Sequence, residues 1–230
     1  MEDEDLKKDT YSLLENYMLS CMGDSAHDRE HIYRVLYVAL EIAQTESNVD
    51  HDVLICACLL HDIGRREQFE NPGLCHAQVG ADKAYDFLLT HGFNEAFAGH
   101  VRDCIRTHRY RNSAPPESVE AKILFDADKV DATGAIGIAR TLIYKGRVSE
   151  PLYSVGADGQ VLDGKNDEEP SFFREYKYKL ENLYENFYTE KGSEIALKGR
   201  EAAKAFYDSI LEEVSASRKR GKDYLEKYID

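Results

Sequence analysis

Residues 53–64 read VLICACLLHDIG: eight apolar residues run without interruption into His61-Asp62, and Ile63-Gly64 follow. A helix that is apolar on every side is a buried helix. At about 100° per residue, His61 shares the stripe of Leu54, Ala57 and Cys58, and Asp62 that of Ile55, Cys58 and Leu59, so neither escapes easily to solvent. Burying an imidazole and an acid at the end of such a helix is costly unless they are paired or coordinate a metal. A divalent cation satisfies both at once. The plainer alternative is an aspartate capping a loop beside a histidine bonded to a backbone carbonyl.

Outward from this segment nearly every stretch carries helical period, and none alternates apolar and polar residues long enough for a strand, so the expected fold is all-α. Helices are expected over about 9–21, 28–46, 51–62, 76–91, 94–108, 117–144, 171–188 and 192–216. Asp28 and Asp50 suit N-caps, Gly64 and Gly92 follow helix ends, and Pro115-Pro116 separates two helices. Residues 149–170 combine proline, glycine turns and acids, an inserted loop with room for a short hairpin. Residues 171–216 then form amphipathic helices expected to pack back on the core, and the charged tail from Arg218 is expected to fray. The length, 230 residues, fits a single domain spanning 1–230.

Composition excludes several classes. The apolar share is 43%, too high for a disordered chain. The run Val53–Leu60 is the longest apolar one, well short of a membrane span, and the start MEDEDLKKD lacks the basic and apolar regions of a signal peptide. These features point to a soluble, cytoplasmic protein. The five cysteines, Cys21, Cys56, Cys58, Cys75 and Cys104, are odd in number and include no C-x-x-C pair, which argues against a disulfide framework or zinc ribbon. A net charge of −14, from 29 basic and 43 acidic residues, opposes docking on a nucleic-acid polymer. A phosphate-bearing substrate therefore needs a metal or a local basic cluster.

Two further segments join the first. His31, Val35, Val38 and Ile42 fall on one stripe of the second helix, so His31 points toward the core. In LFDADKVDATGAIGIAR, Asp126 and Asp128 lie about 200° apart and cannot serve one site, whereas Asp128 and Asp131 lie about 60° apart and share a face. Spacing leaves Asp128 and Asp131 tied. The small residues Ala132, Gly134, Ala135 and Gly137 would admit another helix at close range.

The order His31, His61-Asp62, Asp128, together with LLHDIG, the later His76-Ala77 and Gly80-Ala81, the segment ending at His108, and DADKVDA, resembles the HD superfamily of metal-dependent phosphohydrolases, in particular a small bacterial branch of HD-domain proteins. The resemblance covers roughly residues 25–210 and implies an HD core over 25–145 within one helical bundle. It also breaks the tie, implying Asp128 as the ligand beside His31, His61 and Asp62. Two imidazoles and two carboxylates suit Mn²⁺, Co²⁺, Ni²⁺, Fe²⁺ or Mg²⁺ in octahedral geometry, with positions left for water and substrate. A bound cation acidifies water and polarises a phosphoryl oxygen. Some members place two extra histidines to hold a second metal bridged by the HD aspartate; His76 and His108 are the candidates, with substrate phosphate as their other role.

Arg65 and Arg66 directly follow the pair, and Arg102, Arg106 and Arg109 form a stripe near His108. Arg65, Arg66 and Arg109 are the phosphate-binding candidates, since a guanidinium fork fits a phosphate and keeps its charge. Asp62 and Glu67 are the catalytic candidates, Glu67 by orienting water, with a salt bridge to a neighbouring arginine as its alternative. Related HD nucleotidases often carry an acid three residues after the HD aspartate; here Arg65 stands there, which separates this chain from that branch. His27, His51, His91 and His100 read as surface, cap or helix-end residues. The expected activity is hydrolysis of a small phosphorylated metabolite, with a nucleoside triphosphate cleaved to monophosphate and pyrophosphate as the specific expectation, in a chain that is free to form a homodimer. A di-iron HD-type oxygenase and a non-catalytic nucleotide sensor are the alternatives.

Overall fold

Asp50 accepts hydrogen bonds from the backbone N–H groups of Asp52 and Val53, both at 3.1 Å, and so starts α3 (His51–Leu60), the apolar helix around which the first part of the chain is built. The computed structural model describes residues 3–22, 29–109 and 115–229. His27 and Asp28 lie outside the described residues. Around α3 stand α1 (Asp3–Cys21), α2 (Arg29–Ala43), the short α4 (Arg65–Glu70), α5 (His76–Thr90), α6 (Glu95–Thr107) and α7 (Val119–Val130). α3 packs on α1, α2, α6 and α7, and α5 lies along α6. Asn94 and Ser118 cap α6 and α7 through side-chain oxygens that accept from Phe97 N and Ala121 N. The fold is all-α. Among the described residues, extended pairing is confined to one antiparallel bridge, Val155 to Val161, the short hairpin expected within 149–170.

The chain divides into two units: Met1–Asp131 with Tyr188–Gly192, and Ala132–Phe187 with Ser193–Asp230. The first unit ends at Asp131, short of the expected limit near 145, because α8 (Gly134–Arg147) packs with α9 (Phe172–Tyr178) and α11 (Arg200–Ile229). Ile138, Phe172, Phe173, Tyr176, Leu180, Ala203 and Tyr207 make the core of the second unit, with Tyr176 stacked on Tyr207 at 4.1 Å between ring centroids. α10 (Glu190–Lys198) begins in the first unit and ends in the second.

Three expected helices are shorter or interrupted. The stretch expected as one helix over 117–144 breaks after Asp131, since Thr133 is extended and Gly134 takes φ 61°, which a side chain tolerates poorly. The stretch 192–216 breaks at Gly199, where a Cβ would come within 2.8 Å of Gly134 Cα; this close backbone approach is what the small residues after Asp131 serve. The stretch 171–188 is helical only to Tyr178, followed by a 3₁₀ turn at Leu180–Asn182. The tail from Arg218, expected to fray, continues α11 to Ile229. The helix α4 had no counterpart in the sequence reading.

Segment 188–192 is anchored mainly on one buried carboxylate of α7, with Lys191 also pairing with Glu41 at 3.4 Å. Asp126, fully buried, accepts from the N–H groups of Tyr188 and Thr189 and from the Thr189 hydroxyl, the last at 2.6 Å. Tyr188 packs edge-on against Phe125.

Candidate metal centre

Five helices of the first unit send polar side chains to one buried place. His31 lies in the first turns of α2, His61 and Asp62 at the end of α3, His76 at the first position of α5, His108 at the C-cap of α6, and Asp128 in the last turn of α7. The approach of α5 to the end of α3 is close: a Cβ on Gly64 would meet Gly80 N at 2.6 Å and also the His76 carbonyl, so only glycine lets His76 come this near to Asp62. Four of the six side chains, His61, Asp62, His76 and His108, have no solvent exposure, and His31 almost none; Asp128 is 23% exposed and marks the open side.

Two triads result. His31, His61 and Asp128 have ligand atoms within 4.8 Å of one another, and so do Asp62, His76 and His108. Asp62 stands between them. Its Oδ2 lies 3.6 Å from His31 Nε2 and 3.8 Å from His61 Nε2, while its Oδ1 lies 3.4 Å from His76 Nε2 and 3.7 Å from His108 Nε2. The four-ligand set of the sequence reading and the two further histidines it named, His76 and His108, thus meet in one six-residue cluster.

The outer nitrogens decide the tautomers. His61 Nδ1 lies 2.7 Å from the Cys58 carbonyl, His108 Nδ1 2.6 Å from the Ile105 carbonyl, His76 Nδ1 2.7 Å from Gln68 Oε1, and His31 Nδ1 2.7 Å from Asp131 Oδ2. Gln68 donates through its amide nitrogen to the Leu74 carbonyl, which leaves the oxygen for His76. His31, His61 and His108 therefore donate outward through Nδ1, while His76 Nδ1 faces both the Gln68 oxygen and the Arg109 Nη1 donor; all four turn Nε2 toward the two carboxylates. Asp62 Oδ2, His76 Nε2 and His108 Nε2 are buried without a hydrogen-bond partner. Lone pairs aimed at carboxylate oxygens repel unless a cation lies between them, so this donor set fits a divalent metal and can hold one.

The electrostatics agree. Burial opposes charge on His31, yet Asp128, Asp131 and Asp62 raise its pKa to about 10, so the metal-free protein carries a proton there, shared toward Asp128 at 3.3 Å. Burial lowers His61 to about 4 and His76 to about 2, keeping both neutral, and His61 Nε2 lies 3.3 Å from His31 Nε2. Against burial, Arg65 and the surrounding imidazoles hold Asp62 well below the usual carboxylate range, and His31 does the same for Asp128.

The remaining candidates separate. Asp131, tied with Asp128 by spacing, stands behind His31 and is gripped by Arg34, whose Nε and Nη2 lie 2.6 and 3.1 Å from its two oxygens. Asp126, on the other side of α7, binds the 188–189 backbone. Arg65 donates to Asp62 Oδ1 at 2.9 Å, and Arg109 Nη1 lies 3.2 Å from His76 Nδ1, so both reach the cluster. Arg66 does not. Its side chain is 67% exposed and pairs with Glu70 at 3.0 Å, because successive helical residues point about 100° apart and Arg65 takes the inward direction. Glu67 pairs through Oε1 with Lys83 at 2.6 Å rather than with an arginine, and its Oε2 is buried without a hydrogen-bond partner. His51 is exposed, His91 bonds the Phe87 carbonyl near the end of α5, and His100 lies 3.1 Å from buried Glu120. Sequence reasoning missed Arg34 and Gln68, and gave Asp131 no role of its own. The stripe Asp128, Asp131 carried a signal for a residue behind a ligand, but only the fold brings Arg34 to Asp131 and Gln68 to His76.

Known proteins give the site its context. The family model for the HD domain matches residues 29–133. A predicted HD superfamily hydrolase from an uncultured Thermotogales bacterium is 30% identical, with a TM-score of 0.58 over 87% of this chain and 90% of its own. This chain belongs to the HD family. Within that family, the uncharacterized protein YpgQ of Bacillus subtilis (strain 168) is 28% identical over 176 residues, 75% of this chain and 77% of the relative. The crystal structure of YpgQ in complex with ADP superposes with a TM-score of 0.68 at 25% identity, covering 89% of this chain and 97% of that one. Similarity to HD superfamily hydrolases makes this HD protein a hydrolase by family, and its cluster holds the HD residues themselves, His61 and Asp62.

Proposed function

We propose that this HD protein is a phosphohydrolase that holds a divalent metal on His31, His61, Asp62 and Asp128 and cleaves a nucleoside triphosphate to its monophosphate and pyrophosphate. The observation that carries the metal assignment is the orientation of the four buried imidazoles, all of which turn Nε2 toward Asp62 and Asp128. A bound cation supplies an acidified water and polarisation of a phosphoryl oxygen. Asp62 and Asp128 provide the negative charge that binds it, while His61, locked by the Cys58 carbonyl, and His31, locked by Asp131, fix its direction. Anion binding falls to Arg65 and Arg109, which bring positive charge to the cluster in a chain of net charge −14. The partly exposed side chains of Asp128 and Arg65 mark the side from which a small phosphate compound enters.

The nucleotide part of this reading is supported by the ADP bound to YpgQ. A small substrate, not a nucleic-acid polymer, and a cytoplasmic setting belong to the same proposal, the first because the net charge repels a polyanion. The test is a screen of nucleotides and other phosphorylated metabolites with Mn²⁺, Co²⁺ and Mg²⁺, reading orthophosphate and pyrophosphate separately. Pyrophosphate release from nucleoside triphosphates is expected. Orthophosphate alone would replace the specific reading with a phosphatase. The second triad gives a di-iron oxygenase its one supporting observation; two bound irons with a visible absorption band and no phosphate release from any compound would favour it.

A further inference from the structure

The two oxygens of Asp62 are unequally committed. Oδ2 faces His31 and His61 and has no hydrogen-bond donor on it, whereas Oδ1 faces His76 and His108 and also receives Arg65 Nε at 2.9 Å. Arg65 follows Asp62 by three residues and opens α4, so local chain geometry brings its guanidinium to the carboxylate. Asp62 has no solvent exposure and cannot turn to water, but the Arg65 side chain is 26% exposed and has somewhere else to go. Two cations thus have a claim on one oxygen: the guanidinium, and an ion held by His76 Nε2 and His108 Nε2, both buried and without a partner. Among the described residues no guanidinium bonds an oxygen of the first triad's Asp128, and Arg34 spends its charge on Asp131, behind His31.

We propose that Arg65 is a built-in competitor for a second metal at Asp62, His76 and His108, which makes the second metal bind more weakly than the first and exposes a free guanidinium when it does bind. The proposal rests on the reading of the cluster as a metal centre. A dication at the second triad stands within a few ångströms of the guanidinium, and like charges at that range repel strongly in a site shielded from water. Binding of the second ion therefore requires Arg65 to leave Oδ1. The displaced fork is then free for a phosphate at the open edge of the site, so metal loading and anion binding favour each other.

The experiment titrates the demetallated full-length protein with Mn²⁺, measuring both binding equivalents by calorimetry and equilibrium dialysis and the Mn–Mn coupling by electron paramagnetic resonance. Wild type is expected to show one tight and one weaker equivalent. Arg65→Gln and Arg65→Met should tighten the second equivalent by about tenfold or more, with the first changed much less. Arg65→Lys, which keeps the charge, should behave like wild type; circular dichroism checks that each variant folds. A second equivalent unchanged or weakened in both Arg65→Gln and Arg65→Met, yet abolished in His108→Ala, would overturn the competitor role while leaving the two-metal centre standing. Absence of a second equivalent from wild type and every variant at millimolar Mn²⁺ would overturn both.

Discussion

Asp131→Asn changes one atom and tests the logic of the whole site. The carboxylate stands 2.7 Å behind His31 Nδ1 and accepts from Arg34 at 2.6 and 3.1 Å. An asparagine can turn its oxygen to His31, but its amide then meets Arg34 donor to donor; turned the other way, the amide forces His31 to carry its proton on Nε2, the atom that must bind metal. Either arrangement loses an interaction. Replacing the carboxylate behind a metal-binding histidine costs about 10- to 100-fold in metal affinity, which corresponds to about 1.4–2.7 kcal/mol. The metal-free fold should lose about 1–3 kcal/mol as well, since a charged, mostly buried acceptor is removed. Mn²⁺ affinity would be measured by competition with a chelating indicator, and stability by denaturant unfolding of the metal-free protein. Asp128→Asn serves as the comparison and should lose far more affinity. If Asp131→Asn abolished binding while Asp128→Asn retained it, the two aspartates would have exchanged roles and the geometry drawn for α7 would be wrong.

Asp62→Ala should bind no metal and lose turnover by orders of magnitude, checked by metal content after dialysis. Apparent Mn²⁺ affinity should rise with pH up to about 10, because His31 is held protonated below that value and must release its proton on binding; a pH-independent affinity between 6 and 9 would refute this. The same raised pKa means that charged His31 stabilises the metal-free fold fully below its ordinary value of 6.5, a contribution lost as pH climbs toward 10. Asp126→Asn should keep its metal but unfold more easily, by about 1–3 kcal/mol, as seen in chemical denaturation. Arg109→Ala should raise the KM for a nucleoside triphosphate several-fold, whereas Arg66→Ala, in its exposed pair with Glu70, should leave KM unchanged.

The sequence reveals those parts of the molecule that depend on local periodicity. A helix apolar all round has only one place to go, so α3 and the burial of His61 and Asp62 follow from residues 53–62 alone. The separation of Asp126 from Asp128 follows from helical angle in the same way. Where the outcome depends on distant partners, the sequence is silent: the fold brings Asp131 to Arg34 and His31 across 97 and 100 residues, and Gln68 to His76 across eight. Helix breaks were misread for a related reason. Ala132–Gly137 has an acceptable helical pattern, and only the backbone contact between Gly134 and Gly199 forces the chain out of it. Adjacency in sequence to the HD pair says nothing about direction on α4, where Arg65 turns to Asp62 and Arg66 to Glu70.

The grip of Asp126 on Tyr188 and Thr189 bears on any attempt to cut the protein down to its metal-binding part. Every candidate ligand lies at or before Asp128, so a chain ending at Asp131 would look sufficient. It would strand a carboxylate that is fully buried and that meets its acceptor needs from residues more than fifty positions downstream. That acid would have to take up a proton or draw in water, on the same helix that presents Asp128. A shortened form of the centre therefore has to keep 188–192 together with the first 131 residues, a discontinuous unit in which the downstream segment acts as a plug for Asp126.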